Sequence, residues 1–328
     1  MHGIRRAAVI AVAGILPAVA SAVTITVTPG SSIQAAIDAA GTGDVISVAT
    51  GEYAEDIDFR GKAIAVIGAG DASIIRGTGQ SSVVRFASGE GAESVLDSVT
   101  VTGGVADRGG GIYIAGSSPT ILRSVIIGNR ARQQGSGVYV EAGSPQLYNN
   151  LIAYNGSAGG DPHSVEIQSA APRLINNTIV RSDSNGIILR GTSPAVIMNN
   201  IIAFNGTRAA GGRRGRGICD FSGGAATIHY NLFYRNVVAA VLTDGKDYRR
   251  VRDVQRAAGL PRFKGNADAS PGFRRRVPRT SELAAADDFA LRPNGRAVGA
   301  GSLDPQFNNL DGTRNTVGFT GGPYAAAP

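Results

Sequence analysis

Apolar residues along this chain recur in short alternating runs separated by Gly, Pro and Asn. Four consecutive blocks carry the pattern: "GGIYIAGSSPTILRSVIIGNR", "SGVYVEAGSPQLYNNLIAYNG", "HSVEIQSAAPRLINNTIVRSD" and "NGIILRGTSPAVIMNNIIAFNG". Each small-residue–proline step (Ser118-Pro119, Ser144-Pro145, Ala171-Pro172, Ser193-Pro194) follows the previous one by 26, 27 and 22 residues. A β-branched run opens each block, a second run follows the proline, and a turn marked by Asn129, Asn155, Asp183 or Asn205 ends it. A fifth, looser block is "RGICDFSGGAATIHYNLFYRN", and the earlier runs "VISVATGEYAEDIDF", "AIAVIGAG" and "SVLDSVTVTGG" keep the same rhythm. A period of about 20–30 residues signals a stacked repeat. Helical periodicity and a fixed leucine pattern are both missing, so three short strands per coil remain, the pattern of a parallel β-helix.

Stacking gives the asparagines a structural role. Asn150, Asn177 and Asn200 hold one position of the repeat, and Asn129, Asn155 and Asn205 another. Stacked amides bond along a column, and Asn tolerates the left-handed backbone of a tight corner. Three glycosylation sequons, "NGS", "NNT" and "NGT", fall in these positions and are read as ladder residues. The open end of such a stack needs a lid. "SSIQAAIDAAG" supplies one: Ile33, Ala36, Ile37 and Ala40 fall on one helix face. Ser31 with Gln34 forms the expected capping box and Gly41 the stop.

Composition sharpens the picture. Of 328 residues, 46 are Gly and none is Trp, which suits thin layers and many turns. The N-terminus combines basic "MHGIRR", apolar "AAVIAVAGIL" and the small-residue step Ala20-Ser21-Ala22, the pattern of a signal peptide over 1–22. The protein is therefore expected outside the cytoplasm (extracellular, cell surface or periplasm) with no membrane span after signal removal. The lone Cys219 cannot form an internal disulfide and reads as a small buried hydrophobe. The net charge of +7 is uneven: residues 208–279 hold 16 Lys/Arg against 5 Asp/Glu. That region has few aromatics for base stacking, and no nucleic-acid partner is expected.

The stretch "SSIQAAIDAAGTGDVISVATGEYAEDIDF" resembles the cap and first coil of right-handed parallel β-helix proteins of the pectate-lyase-like superfamily. "GGGIYIAGSSPTILRSVIIGN" is similar to the repeat of their bacterial, often surface-associated, members. "DDFALRPNGRAVGAGSLDPQFNNLDGTRNTVGFTGGP" resembles a terminal segment of secreted bacterial β-helix proteins, sometimes called a choice-of-anchor segment. The fold class expected is thus all-β, a single-stranded right-handed parallel β-helix with an N-terminal capping helix. The expected layout is the β-helix with its cap over 23–240, a basic irregular insert over 241–286, and a C-terminal segment over 287–328 that closes the β-helix. The superfamily includes lyases, hydrolases, epimerases and non-catalytic adhesins, so the resemblance alone does not choose an activity.

Candidate chemistry follows from strand alternation. Ile112 and Ile114, Val138 and Val140, Val165 and Ile167, and Ile187 and Leu189 should point inward. Tyr113, Tyr139, Glu166 and Ile188 form one outward column; Ala115, Glu141, Gln168 and Arg190 form a second. Aromatic rings and Arg suit an acidic sugar chain, which makes Tyr113, Tyr139, Glu141, Gln168 and the loop residue Arg132 candidate substrate contacts. The loops leading into these strands also carry Arg108, Arg130, Arg208, Arg213, Arg214 and Arg216. For β-elimination, Arg190 would neutralise a uronate carboxylate, with Tyr139, Glu166 or His163 as base. Alginate epimerases of this fold carry a Tyr-Gly-Phe-Asp-Pro-His motif; Asp161-Pro162-His163 matches its last three residues. Tyr154 lies seven residues before Asp161 instead of three, and the aspartate expected in the next coil falls near Arg190.

No cofactor is required by these residues. Ca²⁺ is an option at Glu141 and Glu166, or at Asp304, Asn308 and Asp311. The only Asp-Asp pair, Asp287-Asp288, belongs to the terminal segment and not to a hydrolase site. The first expectation is an exported monomer that binds, and in its catalytic version cleaves, an acidic polysaccharide or cell-surface glycan. The alternatives are a non-catalytic adhesion scaffold and a uronate-polymer epimerase.

Overall fold

Each coil contributes one short strand to each of three long sheets, and the coils stack in parallel. The computed structural model describes residues 22–206, 215–257, 261–275 and 289–325. Residues 1–21 of the expected signal peptide, Arg208, Arg213, Arg214, Asp287-Asp288, and residues 258–260 and 276–286 of the expected insert lie outside that set.

Sheet one contains Thr120–Leu122, Gln146–Tyr148, Arg173–Ile175 and Val196–Met198; sheet two contains Val125–Ile127, Leu151–Ala153, Thr178–Val180 and Ile201–Ala203. Sheet three contains Ile112–Ala115, Val138–Glu141, Val165–Gln168 and Ile187–Arg190. All three have nine strands. A three-stranded side sheet, Val105–Arg108, Arg130–Gln134 and Gly156–Ser157, lies between sheets two and three in the chain path.

Register puts like residues over like. Ile121, Leu147, Leu174, Ile197 and Ile228 form one column, and Ile126, Ile152, Ile179, Ile202 and Phe233 another. These side chains form the core, with the inward residues of sheet three beside them. A single coil cannot bury such a face; the stack does so at about 4.7–4.9 Å per layer. The fourth proline is one residue out of step: Val196 pairs with Arg173 and Thr120 with Gln146, so Ala195 and not Pro194 stands over Pro172.

The Asn-Asn dipeptides divide two tasks. The second Asn turns inward as a rung. The Asn150 backbone N–H donates to Asn177 Oδ1 at 3.0 Å, Asn177 to Asn200 at 2.8 Å, and Asn200 to Asn231 at 3.0 Å. Asn177 Nδ2 reaches back to the Leu147 carbonyl at 2.8 Å. The first Asn carries the left-handed backbone: φ is 57° at Asn149, 58° at Asn176 and 57° at Asn199. The left-handed position and the ladder position are therefore neighbours, where the sequence suggested one residue for both. In the other column Asn129 donates to Asn155, and Asn205 to Asn236. Its missing rung is Ser182, not Asp183, since the Ser182 N–H donates to Asn205 Oδ1.

Helix α1, Ile33–Ala39, buries Ile33, Ala36 and Ile37 in the core and contacts the strands Thr24–Val27, Val45–Val48 and Ile57–Asp58. Its N-cap is Ser32, one residue after the expected Ser31, and Ser32 Oγ accepts from Ala35 N–H. Gln34 does not complete a box. Glu55 of the first coil accepts from the N–H groups of Ile33 and Gln34, so a tertiary carboxylate satisfies the free donors of the first turn. The last turn is closed by Lys62 Nζ, which donates to the carbonyls of Ile37, Asp38 and Ala40.

The region expected as an irregular insert begins inside the solenoid. Ala239–Thr243 pairs in parallel with Arg216–Phe221, and Lys246–Tyr248 returns antiparallel to it. Helix α2, Val251–Ala257, places Val251 and Val254 in the core, and Phe263 joins them. The inward column Ile114, Val140, Ile167, Leu189 then reaches Asp220 and Thr243. Arg262 Nη1 donates to Asp220 Oδ2 at 2.7 Å and Nη2 to Thr243 Oγ1 at 3.1 Å. This end of the stack is thus closed by α2 and Arg262, not by the C-terminal segment.

The C-terminal segment instead runs along the side. Asn149 Nδ2 donates to Phe319 O, Asn176 Nδ2 to Thr316 O, and Asn199 Oδ1 accepts from Ser302 N–H. Phe273, Phe289, Ala297 and Val317 cover the outer side chains Leu151, Ala153, Val180, Ile201 and Leu232 of sheet two in a second core. The all-apolar strands Leu151–Ala153 and Ile201–Ala203 are buried on both faces, which explains their lack of alternation.

Two stability predictions follow from the buried polar groups. Asn177→Ala should strand the Asn150 N–H and the Leu147 carbonyl, costing about 2–4 kcal/mol in a urea unfolding midpoint. Arg262→Ala should cost about 3–5 kcal/mol by leaving Asp220 buried and unpaired, while the paired change Arg262→Leu with Asp220→Leu should recover most of it.

Candidate functional site

The outward columns of sheet three have the predicted register. Tyr113 stands over Tyr139, Tyr139 over Glu166, and Glu166 over Ile188; Ala115, Glu141, Gln168 and Arg190 align beside them. Their exposure differs sharply between the two columns. Tyr139 and Glu166 are each 1% exposed. Arg190 and Glu141 keep 42% and 44% of their side-chain surface in solvent.

The cover comes from the side sheet. Its strands end at Arg108 and in Gln134, and each is followed by a left-handed glycine, Gly109 (φ 63°) or Gly135 (φ 56°). A Cβ at Gly135 would lie 2.7 Å from Tyr139 Cβ, so only glycine allows the chain to turn this closely onto sheet three. Arg108 then sits over the Tyr139 ring at 5.6 Å, and Gln134 Nε2 donates to Glu166 Oε1 at 3.0 Å. Burial pushes the Tyr139 phenol up to about 12, with Glu141 adding to the effect and Arg108 opposing it. Tyr139 is therefore neither an exposed stacking platform nor a base at neutral pH. This corrects the role expected for it.

Glu166 is held in place as a carboxylate partner. Its Oε1 also accepts from Arg190 Nε at 2.9 Å, while Oε2 is buried with no partner. Arg190 spends its Nε on this contact. Its two Nη nitrogens donate to nothing among the described residues, and the guanidinium lies 5.9 Å from the Phe221 ring. Phe221 is 47% exposed. The result is a guanidinium oriented by a buried carboxylate, with 42% of its side-chain surface left exposed by the described residues.

The other candidates spread out from this point. Tyr113 is half-buried, stacked on Tyr139 at 5.8 Å, with Arg85 over its ring at 4.9 Å. Glu141 pairs with Arg108 at 3.6 Å, and Arg132 with Asp107 at 3.4 Å on the exposed side sheet. Gln168 Nε2 donates to Ser169. Neither Glu141 nor Glu166 fits a Ca²⁺ site, since each faces a guanidinium. Asp304 and Asp311 cap their own turns through Gln306 N–H and Thr313 N–H, and Asn308 donates to Gly312 O. Among the described residues no group of three His, Cys, Asp or Glu converges.

Asp161 and His163 form a separate, internal cluster. His163 is buried; its Nδ1 lies 3.2 Å from both Ser184 Oγ and Asn185 Nδ2, and Ser184 Oγ donates to Asp161 Oδ1 at 2.9 Å. Asn185 Oδ1 in turn accepts from the Gly215 and Arg216 N–H groups. These bonds tie consecutive coils together.

Sequence reasoning missed Gln134, Arg85 and Phe221 as parts of this surface. Their repeat positions were visible. The glycine-hinged fold of the side sheet onto sheet three had only the positive-φ preference of Gly109 and Gly135 as its sequence signal. Cys219 continues the Tyr139–Glu166–Ile188 column and is 2% exposed.

The family model described as right handed beta helix region matches residues 80–253. No curated protein matches the sequence significantly. Among solved structures, pectate lyase Pel9A superposes with a TM-score of 0.52 at 16% identity, over 91% of this chain and 96% of its own. The PL6 family alginate lyase AlyGC gives 0.49 at 18% identity, over 65% of this chain and 32% of its own. A mannuronic acid specific polysaccharide family 6 lyase from human gut microbiota gives 0.42 at 16%, over 65% and 54%. At these identities the likeness to Pel9A is one of fold. No helix among the described residues is long and apolar enough to cross a membrane.

Burial pushes the Cys219 thiol up to about 12 against the opposing field of Arg216. The expected outcome is that the native protein resists alkylation at about pH 8, where an ordinary thiol is partly ionised, and that one equivalent reacts after unfolding in urea. Mass spectrometry of the alkylated chain reads both states.

Proposed function

The chain belongs to the right-handed β-helix family, and from that premise we propose that it binds an acidic polysaccharide along the outer face of sheet three. The observation that carries this reading is Arg190. Its Nε is fixed by Glu166, both Nη nitrogens are unbonded among the described residues, and the side chain keeps 42% of its surface in solvent beside the half-exposed Phe221 ring. A carboxylate accepts two parallel N–H bonds from such a fork, and the apolar ring packs against the sugar. Arg85 and Arg108, half-exposed in earlier coils, repeat the cationic contact along the polymer direction. Their own carboxylate partners, Asp58 and Glu141, stand at 3.4 and 3.6 Å in solvent. Pairs of that kind are worth little, so a ligand carboxylate displaces or joins them at small cost.

Cleavage is the weaker version of this reading. β-Elimination needs a base that reaches the polymer. Glu166 is buried against Arg190 and Gln134, His163 is buried in the Asp161–Ser184–Asn185 cluster, and Tyr139 is pushed to about 12. The same facts count against epimerisation. We therefore place the chain with binding or adhesion modules that use the coils as a scaffold. In this reading helix α1 lids the first coil, and the N-terminal pattern exports a monomer to the cell surface or beyond. Residues 287–328 serve as the family's terminal segment, lying against the side of the stack.

One assay separates binding from cleavage. With a panel of uronate polymers, with and without Ca²⁺, ultraviolet absorbance should stay flat while calorimetry detects binding. Arg190→Gln should weaken that binding about tenfold, a loss of roughly 1.4 kcal/mol. Unsaturated product from any polymer would overturn the non-catalytic version. An unchanged affinity in Arg190→Gln would remove the proposed site.

A further inference from the structure

A second cationic feature lies at the C-terminal end of the stack, two coils beyond Arg190, or about 10 Å along the axis at ~4.8 Å per coil. It is a cleft of ≈ 600 Å³ between the corner Tyr234–Asn236, the start of the last sheet-three strand at Ala240, and the segment Arg249–Arg250. Arg235, Arg249 and Arg250 all line it, and each is exposed. Arg252 lines the adjoining recess with Arg250 and Asp268.

The nearby carboxylates among the described residues have structural partners. Asp244 faces Arg262, Asp247 holds Arg216, Asp253 lies beside Arg252, and Asp268 Oδ2 accepts from Val251 N–H at 2.8 Å. The Arg249 and Arg250 side chains make no hydrogen bond or ion pair among the described residues, and the Arg235 guanidinium lies over the Tyr234 ring at 5.2 Å. Asp268 is the one acid in the cleft, and burial raises its pKa against the opposing pull of Val251 N–H and Arg250. Three arginines thus line one recess with a single acid, Asp268, among the described residues. A local excess of positive charge of that kind attracts an anion.

We propose that this cleft is a second anion-binding site, which takes a carboxylate of an acidic sugar through Arg235, Arg249 and Arg250. The acidic-sugar assignment rests on the polysaccharide reading above; the anion site does not. A nucleic acid is the less suited polyanion. Base binding needs free aromatic faces, and Tyr234 already has Arg235 over its ring and Phe204 edge-on at 5.3 Å. Phe233 is buried in the core. Guanidinium forks on an irregular cleft suit spaced carboxylates, which they bind bidentately.

Two probes at low salt test the cleft: sodium sulfate as a generic anion and trigalacturonate as the sugar acid. Titration calorimetry should detect both with the native protein. The variant Arg235→Gln/Arg249→Gln/Arg250→Gln should bind each at least tenfold more weakly, with cooperative thermal unfolding retained, because these side chains make no hydrogen bond or ion pair among the described residues. Both comparisons are repeated in an Arg190→Gln background, which removes the sheet-three fork, and the same tenfold loss on the triple change is expected there. In the native protein the arginine Nε–H signals of the cleft should shift on sulfate addition, a readout that needs no variant. Undiminished sulfate binding by the triple variant, or no arginine shift, would overturn the cleft itself. Sulfate binding without trigalacturonate binding would overturn the sugar-acid assignment and leave the cleft. Tighter binding of a thymidine oligonucleotide than of trigalacturonate would do the same.

Discussion

Every backbone N–H and C=O in a stacked coil must find its partner in the coil above or below, and the corners are where strand pairing fails to supply one. The asparagine ladders meet that constraint. A single amide accepts from the preceding rung's N–H and donates to a carbonyl of that same coil, as Asn177 does with Asn150 and Leu147, while its own N–H donates to Asn200 of the coil after. Each rung therefore locks three coils in register. The flat apolar columns of Ile and Leu depend on that register, since a one-residue slip would turn each inward column to the opposite face. A buried polar group left unpaired at a corner costs about as much as a lost core methylene cluster.

The ends and the flank of the stack pose the same problem in different forms. At the first coil, α1 is tied down from outside itself, by Glu55 at its start and Lys62 at its finish. At the last coil, the inward column runs into Asp220, and Arg262 arrives from a distant turn to pair with it. Along the flank, the left-handed asparagines point outward and bind the C-terminal segment, whose aromatic residues cover sheet two. Two asparagines side by side thus connect two layers: one rung faces in, and one clamp faces out.

The candidate surface follows from what the scaffold leaves over. The glycine turns at 109 and 135 bring the side sheet down on sheet three and bury its middle column. Burial removes Tyr139 and Glu166 from contact with solvent, yet it also makes Glu166 an effective anchor for Arg190. Among the charged groups that remain accessible, Arg190 is the one bonded to a fully buried carboxylate. Cationic character at the far cleft has another origin. There the acidic side chains of the last turns are consumed by structural bonds, and the arginines between them are left facing solvent.

Much of the architecture was legible in the residues themselves. The 26- and 27-residue steps and the alternation of Ile112, Ile114, Val138 and Val140 required stacked coils with these side chains inside. The outward order Tyr113, Tyr139, Glu166, Ile188 was equally readable, because strand alternation is a local property of the backbone. The runs "LIA" and "IIA" do not alternate, and it is the structure that shows their outer faces covered by the C-terminal segment. The tertiary structure decided the rest. Whether an outward side chain is exposed depends on segments far away in sequence or joined by a glycine turn, and no period in the sequence encodes that approach. The same holds for the Arg262–Asp220 closure and the docking of 289–325 on the asparagine clamps, contacts of long sequence separation between residues that show no pattern. Periodicity fixes which way a residue points; only packing decides what it then meets.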